Sequence, residues 1–202
     1  MTELVRSLAQ FFLYAVLAVF AQNAVFTRAL GVSRLVKVVG DDTDPWSFSL
    51  LLCCIQLISA PLGYLVNEQI KTSPYRAYLR PILMLACAAV AFFVVLGAIV
   101  LVRRMEGARA LVGALPMATF NTCVLGTMLA SATQSFTFGQ TMGFALGSGV
   151  GYVLAVQVVL EGQRKLDSEK VPGIFRGLPV ALLYIGILAL AIYGFTGHTV
   201  AF

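Results

Sequence analysis

Five stretches of this 202-residue chain carry no Asp, Glu, Lys or Arg: residues 7–27, 45–67, 81–102, 110–160 and 177–202, 143 residues in all. A helix that crosses the hydrocarbon core of a bilayer needs roughly 20 apolar residues. Four of the stretches therefore hold one crossing each, and the 51-residue stretch 110–160 holds two. The expected fold is an all-α integral membrane protein of six transmembrane helices in a single membrane domain, 1–202. Soluble enzymes, secreted disulfide scaffolds and disordered tails are excluded, because only 11% of residues are charged against about 25% in an ordinary soluble domain. The net charge of +5 does not point to nucleic acid, since the cations sit in short connections where topology is the simpler cause.

The crossings are expected at about 8–26, 47–66, 82–102, 110–130, 141–160 and 178–195, with Ser131 to Ser135 as the turn inside the long stretch. The first is read as a retained helix, not as a cleaved leader. The four cysteines, Cys53, Cys54, Cys87 and Cys123, all lie in apolar sequence, which argues against structural disulfides. Connections after spans 1, 3 and 5 hold 3, 3 and 4 of the Lys and Arg residues, against 4 in all other segments. The positive-inside rule then puts both termini on the extracytoplasmic side. Gly143, Gly147 and Gly151 recur every fourth residue. They form a small-residue stripe suited to close helix approach, either within one copy of the chain or at a dimer contact.

At an offset of 98 residues, Asn23 meets Asn121, Pro74 meets Pro172 and Pro81 meets Pro179, in a chain with only 3 Asn and 7 Pro. The coincidence divides the chain into halves 1–104 and 105–202 with three spans each. An odd number of spans inverts the second half relative to the first, and sites are then expected near the midplane between halves. Spans 1 and 4 each carry an Asn deep in apolar sequence. Each amide can be met by a neighbouring helix or by a break in its own helix; the symmetric pair favours broken half-helices.

The runs Asn23-Ala24-Val25-Phe26-Thr27-Arg28-Ala29-Leu30-Gly31, Asn121-Thr122-Cys123-Val124-Leu125-Gly126 and Val171-Pro172-Gly173-Ile174-Phe175-Arg176-Gly177 resemble the RnfA/RnfE and NqrD/NqrE family of bacterial respiratory membrane subunits. Orientation and loops are most similar to the RnfA branch. The resemblance implies a place in the cytoplasmic (inner) membrane, inside a multi-subunit complex that couples electron transfer between NADH, ferredoxin or quinone to Na⁺ or H⁺ movement. It also implies a homologous partner subunit of opposite topology and a shared [2Fe–2S] cluster held by four thiolates, two from each of the pair. This sequence has no Cys between Asn23 and Lys37, and its span 4 thiol, Cys123, comes one residue later than in the family.

Asn23, Asn121, Thr122 and Cys123 are the candidate site residues, with Cys123 the candidate metal ligand and Gly31 and Gly126 permitting close backbone approach. Gln22 and Thr119 are further polar groups that could line a passage. No carboxylate lies within a span, and the one histidine, His198, is read as a solvated tail residue. No catalytic residue is assigned. The alternative is a cofactor-free relative that acts as a small carrier or as a structural partner in another membrane assembly.

Overall fold

A computed structural model describes residues 2–40, 44–101, 108–166 and 172–197. The acidic residues Asp41 and Asp42, most of the basic connection 103–109, the start of the Val171–Gly177 run and His198 lie outside the described residues. Every regular element described is helical. In chain order they are α1 (Thr2–Val19), α2 (Val32–Gly40), α3 (Pro45–Gln69), α4 (Arg76–Leu101), α5 (Ala108–Thr119), α6 (Thr122–Thr133), α7 (Phe138–Leu166), a 3-10 turn (Gly173–Phe175) and α8 (Leu178–Thr196).

Local chemistry accounts for several boundaries. Asp44 caps α3, its carboxylate accepting from the amides of Trp46 and Ser47, and Pro45 fills the first helical position, where no N–H is needed. Asn121 caps α6 by accepting from Cys123 N. Pro61, Pro81 and Pro116 sit inside α3, α4 and α5, as membrane helices tolerate when neighbours satisfy the freed backbone groups.

Four described helices, α3, α4, α7 and α8, are long and apolar enough to cross a membrane. A fifth crossing results if α5 and α6 are one span, bent by 40° at a short break. The sixth span expected from sequence is not one helix: α1 stops at Val19, and Phe20 to Gly31 form turns before α2 begins. The expected loop after span 1 is thus occupied by turns and by α2. Outward-facing surfaces are apolar, with Phe12, Phe93 and Leu190 each more than 60% exposed. Exposed apolar surface on this scale suits a lipid solvent.

The core forms around α7. Its glycine stripe packs on α1 within the same chain: a methyl group added at Gly143 would fall on the carbonyl of Phe11, one at Gly147 on that of Ala15, and one at Gly151 beside Ala18 and Val19. The register rises on both helices, so α1 and α7 run in the same direction. Past Val19, Gly31 touches Tyr152, and Val39 of α2 shares a groove with Leu160 of α7. Together α1, the turns and α2 accompany α7 along its whole length, 29 residues or about 43 Å. By contrast, only Ala181 and Ile185 of α8 are buried.

Candidate functional site

The two interruptions, break 1 at 20–31 and break 2 at Phe120-Asn121, meet at the centre of α7. Asn23 and Asn121 organise them in parallel ways. Asn23 Oδ1 accepts from the amides of Val25 (2.9 Å) and Phe26 (3.2 Å). Its Nδ2 donates to the carbonyl of Val19 (2.9 Å), closing α1, and to that of Gly151 on α7 (3.1 Å). All the hydrogen-bonding capacity of the amide is used. Asn121 Oδ1 accepts from Cys123 N (2.9 Å), and its Nδ2 donates to the Tyr152 hydroxyl at 3.4 Å. Both asparagines are buried, and their partners on α7 are adjacent residues.

Gly31 joins the breaks. Its N–H donates to Thr122 Oγ1 (2.8 Å), and its carbonyl accepts from the Tyr152 hydroxyl (3.4 Å). Its φ is +77°, and a Cβ there would lie 2.7 Å from the Tyr152 ring, 2.8 Å from Asn121 Oδ1 and 3.3 Å from Cys123 Cβ. Only glycine meets both the backbone angle and the space. Gly126 has a similar role on α6, since a Cβ there would stand 2.5 Å from the Leu30 side chain.

Behind the breaks lies a polar cluster between α3, α6 and α7. Gln56 Nε2 faces Thr127 Oγ1 (3.1 Å), Cys123 Sγ (3.3 Å) and Ser148 Oγ (3.3 Å). Thr127 and Ser148 are 2.9 Å apart. All four side chains are buried, and Gln56 Oε1 has no partner among the described residues. Cys123 is therefore a core thiol held by polar neighbours. Gln22 accepts from Arg28 (3.2 Å), whose guanidinium also lies 5.8 Å over the Phe144 ring. This sets Arg28 in break 1 and not in the loop where its charge was counted. Thr119 bonds back to the Leu115 carbonyl.

Sequence reasoning reached Asn23, Asn121, Thr122, Cys123, Gly31 and Gly126, and the structure brings all six together around the two breaks. It missed Tyr152, Gln56, Thr127 and Ser148. A lone amide in mid-span was the available signal for Gln56; a tyrosine or hydroxyl in an apolar run gives none.

The donor set does not fit a two-thiolate share of a [2Fe–2S] cluster. Break 1 has no thiol, and the thiol of break 2 is fully buried against Gln56 and Ser148. All four cysteines are free of disulfides.

A family model described as "Rnf-Nqr subunit, membrane protein" matches residues 11–199. The chain is 26% identical to the A-subunit of the Na⁺-translocating ferredoxin:NAD⁺ oxidoreductase complex of Acetobacterium woodii, over 89% of this chain and 93% of the relative. It is 28% identical to the A-subunit of the ion-translocating oxidoreductase complex of Syntrophotalea carbinolica, with the same coverage of both. To the corresponding protein of Shewanella amazonensis, which bears the same name, it is 27% identical, over 94% of this chain and 98% of the relative. Built from apolar helices and matched over nearly its full length, the chain belongs to the Rnf-Nqr family of membrane subunits.

Proposed function

We propose that this chain is the A-type membrane component of an Rnf-like complex that couples electron transfer among ferredoxin, NADH or quinone to Na⁺ or H⁺ movement. The observation that carries this reading is the near-complete match to A-type relatives. The junction of two interrupted crossings at the centre of α7 supports it. In this reading α1 with α2, and α5 with α6, each make one crossing. The six crossings then form two inverted halves, 1–104 and 105–202. The element order supports the division: each half runs short helix, short helix, long helix, helix.

A partner of opposite topology covers the breaks. Thr27 and Ala29 of break 1, Phe120 of break 2 and Thr122 beside it are exposed, although they flank the middle of α7. Irregular backbone at that depth is tolerated only against protein or a water-filled cavity, so this face needs cover. The setting is a cytoplasmic membrane with both termini outside; with Arg28, Arg34 and Lys37 assigned to crossing 1, the remaining cations still divide seven against four. Asn23, Asn121, Thr122, Gly31 and Gly126 hold the junction in shape, and Cys123 serves it as a packed thiol, not as a ligand.

The test is purification of the tagged chain from its native membrane in mild detergent. Co-purification of flavin- and iron–sulfur-bearing subunits, with ion uptake into vesicles that is lost on deletion of the chain, is the expected result. Recovery with an unrelated assembly, or ion uptake unchanged by deletion, would overturn it. One observation favours a second reading, a cofactor-free relative acting as carrier or structural partner: the breaks offer a single, inward-facing thiol. Iron analysis with EPR on the same preparation separates the two: iron that persists in both wild type and Cys123→Ala supports the first reading, and its absence from the wild type supports the second. An iron signal that vanishes in the variant would make Cys123 a ligand.

A further inference from the structure

At the end of α7 opposite its glycine stripe, a groove of about 350 Å³ opens between α2, α7 and α8. Its wall divides chemically. Val39, Leu160 and Val180 give an apolar inner part, while Gln163, Arg164 and Arg176, with Leu166 and Gly177, form the outer part; among the described lining residues there are two cations and no carboxylate. Leu160 is the last residue of the charge-free stretch 110–160, so the division falls where hydrocarbon gives way to headgroups. The inner part continues onto the outward face of α8, where Leu178, Leu182 and Leu183 are exposed.

We propose that this groove is a binding site for an anionic phospholipid, with the phosphate held by Arg164 and Arg176 and an acyl chain lying along Val39, Leu160 and Val180. Arg164 already faces Glu161 at 3.8 Å, and Lys165 shares that carboxylate at 3.7 Å. These pairs are well exposed and contribute little in water. Arg176 also makes a contact within the chain. An arginine has five donors in a planar fork, so Arg164 keeps donors for a phosphate beside its pair with Glu161, and Arg176 adds its positive charge to the same wall. Basic recesses between membrane helices are where lipid headgroups dock. The inference rests on the membrane location alone and stands or falls separately from the electron-transport reading.

The test uses the protein with the subunits that co-purify, reconstituted into phosphatidylcholine vesicles with rising fractions of phosphatidylglycerol. Thermal stability is read for the wild type, for Arg164→Gln/Arg176→Gln, and for a charge-matched control, Arg6→Gln/Lys71→Gln. Inorganic phosphate is titrated in parallel. The wild type and the control should be stabilised by phosphatidylglycerol, and the Arg164/Arg176 variant should need about thirtyfold more of it, on the scale of two surface cations. A wild type insensitive to phosphatidylglycerol would overturn the proposal, as would equal loss in the control or equal stabilisation by inorganic phosphate. So would a groove that keeps lipid in the isolated chain but not with its subunits, which would assign it to a protein partner.

Discussion

The two breaks solve one problem with unequal amounts of chain. Break 2 spends two residues, Phe120 and Asn121, and bends the path by 40°. Break 1 spends twelve, passes through positive φ at Ala29 and Gly31, and leaves Thr27 and Ala29 exposed. Yet each uses an asparagine whose oxygen accepts backbone amides just downstream, and whose nitrogen reaches α7 at Gly151 or Tyr152. The difference teaches that the repeated element is the anchoring amide and not the loop around it. An amide that meets its own break and the shared helix leaves the intervening chain free to vary.

The largest expected effect falls on the residue that joins the breaks. Gly31→Ala combines positive-φ strain with contacts on Tyr152 and Asn121 and should destabilise by about 3 kcal/mol, read by reversible unfolding in detergent. Close behind is Gly147→Ala, whose methyl would fall on the Ala15 carbonyl. It should cost about 2 kcal/mol by parting α1 from α7, whereas Gly113→Ala, with open space around it, should be nearly neutral.

The asparagines separate the breaks more finely. Asn23→Ala and Asn121→Ala should each cost about 2 kcal/mol, a lost cap plus a lost anchor. Serine keeps the capping oxygen but not the reach to α7. It should recover about 1 kcal/mol at 121, where the cap dominates, and less at 23, where two carbonyls lose their donor. Equal rescue would remove the distinction between the breaks.

The smallest effect lies outside both. The Ser47 hydroxyl, with the amides of Ser47 and Trp46, holds the Asp44 carboxyl below its usual range. Its stabilisation is present above the ordinary carboxylate range, near 4, and is lost as pH falls through the lowered value. Wild type should therefore lose stability below about pH 4 relative to Asp44→Asn, a titration that leaves the breaks untouched.

Much of this was legible in the residues, for physical reasons. Charge-free length specifies apolar helices, because each charge in hydrocarbon is expensive, and α3, α4, α7 and α8 follow from it. Asn23 and Asn121 stood out because a buried amide must find partners. The extent of break 1 was not legible: nothing in Phe20 to Gly31 shows that α2 will resume along α7. Tyr152 was hidden for a related reason. An aromatic in an apolar run looks like packing, and its hydroxyl gains meaning only when Gly31 and Asn121 converge on it.

The claim on which the rest depends is that both breaks lie at mid-membrane. It can be tested by spin-label depth in reconstituted vesicles, with single cysteines at Thr27 and Phe120 in a background lacking the four native thiols. Both labels should report similar depths near the bilayer centre, accessible to oxygen and shielded from a water-soluble nickel complex, unlike a reference label at Lys71. A Thr27 label as open to the nickel complex as the Lys71 label would place break 1 in a loop and contradict the two-break junction.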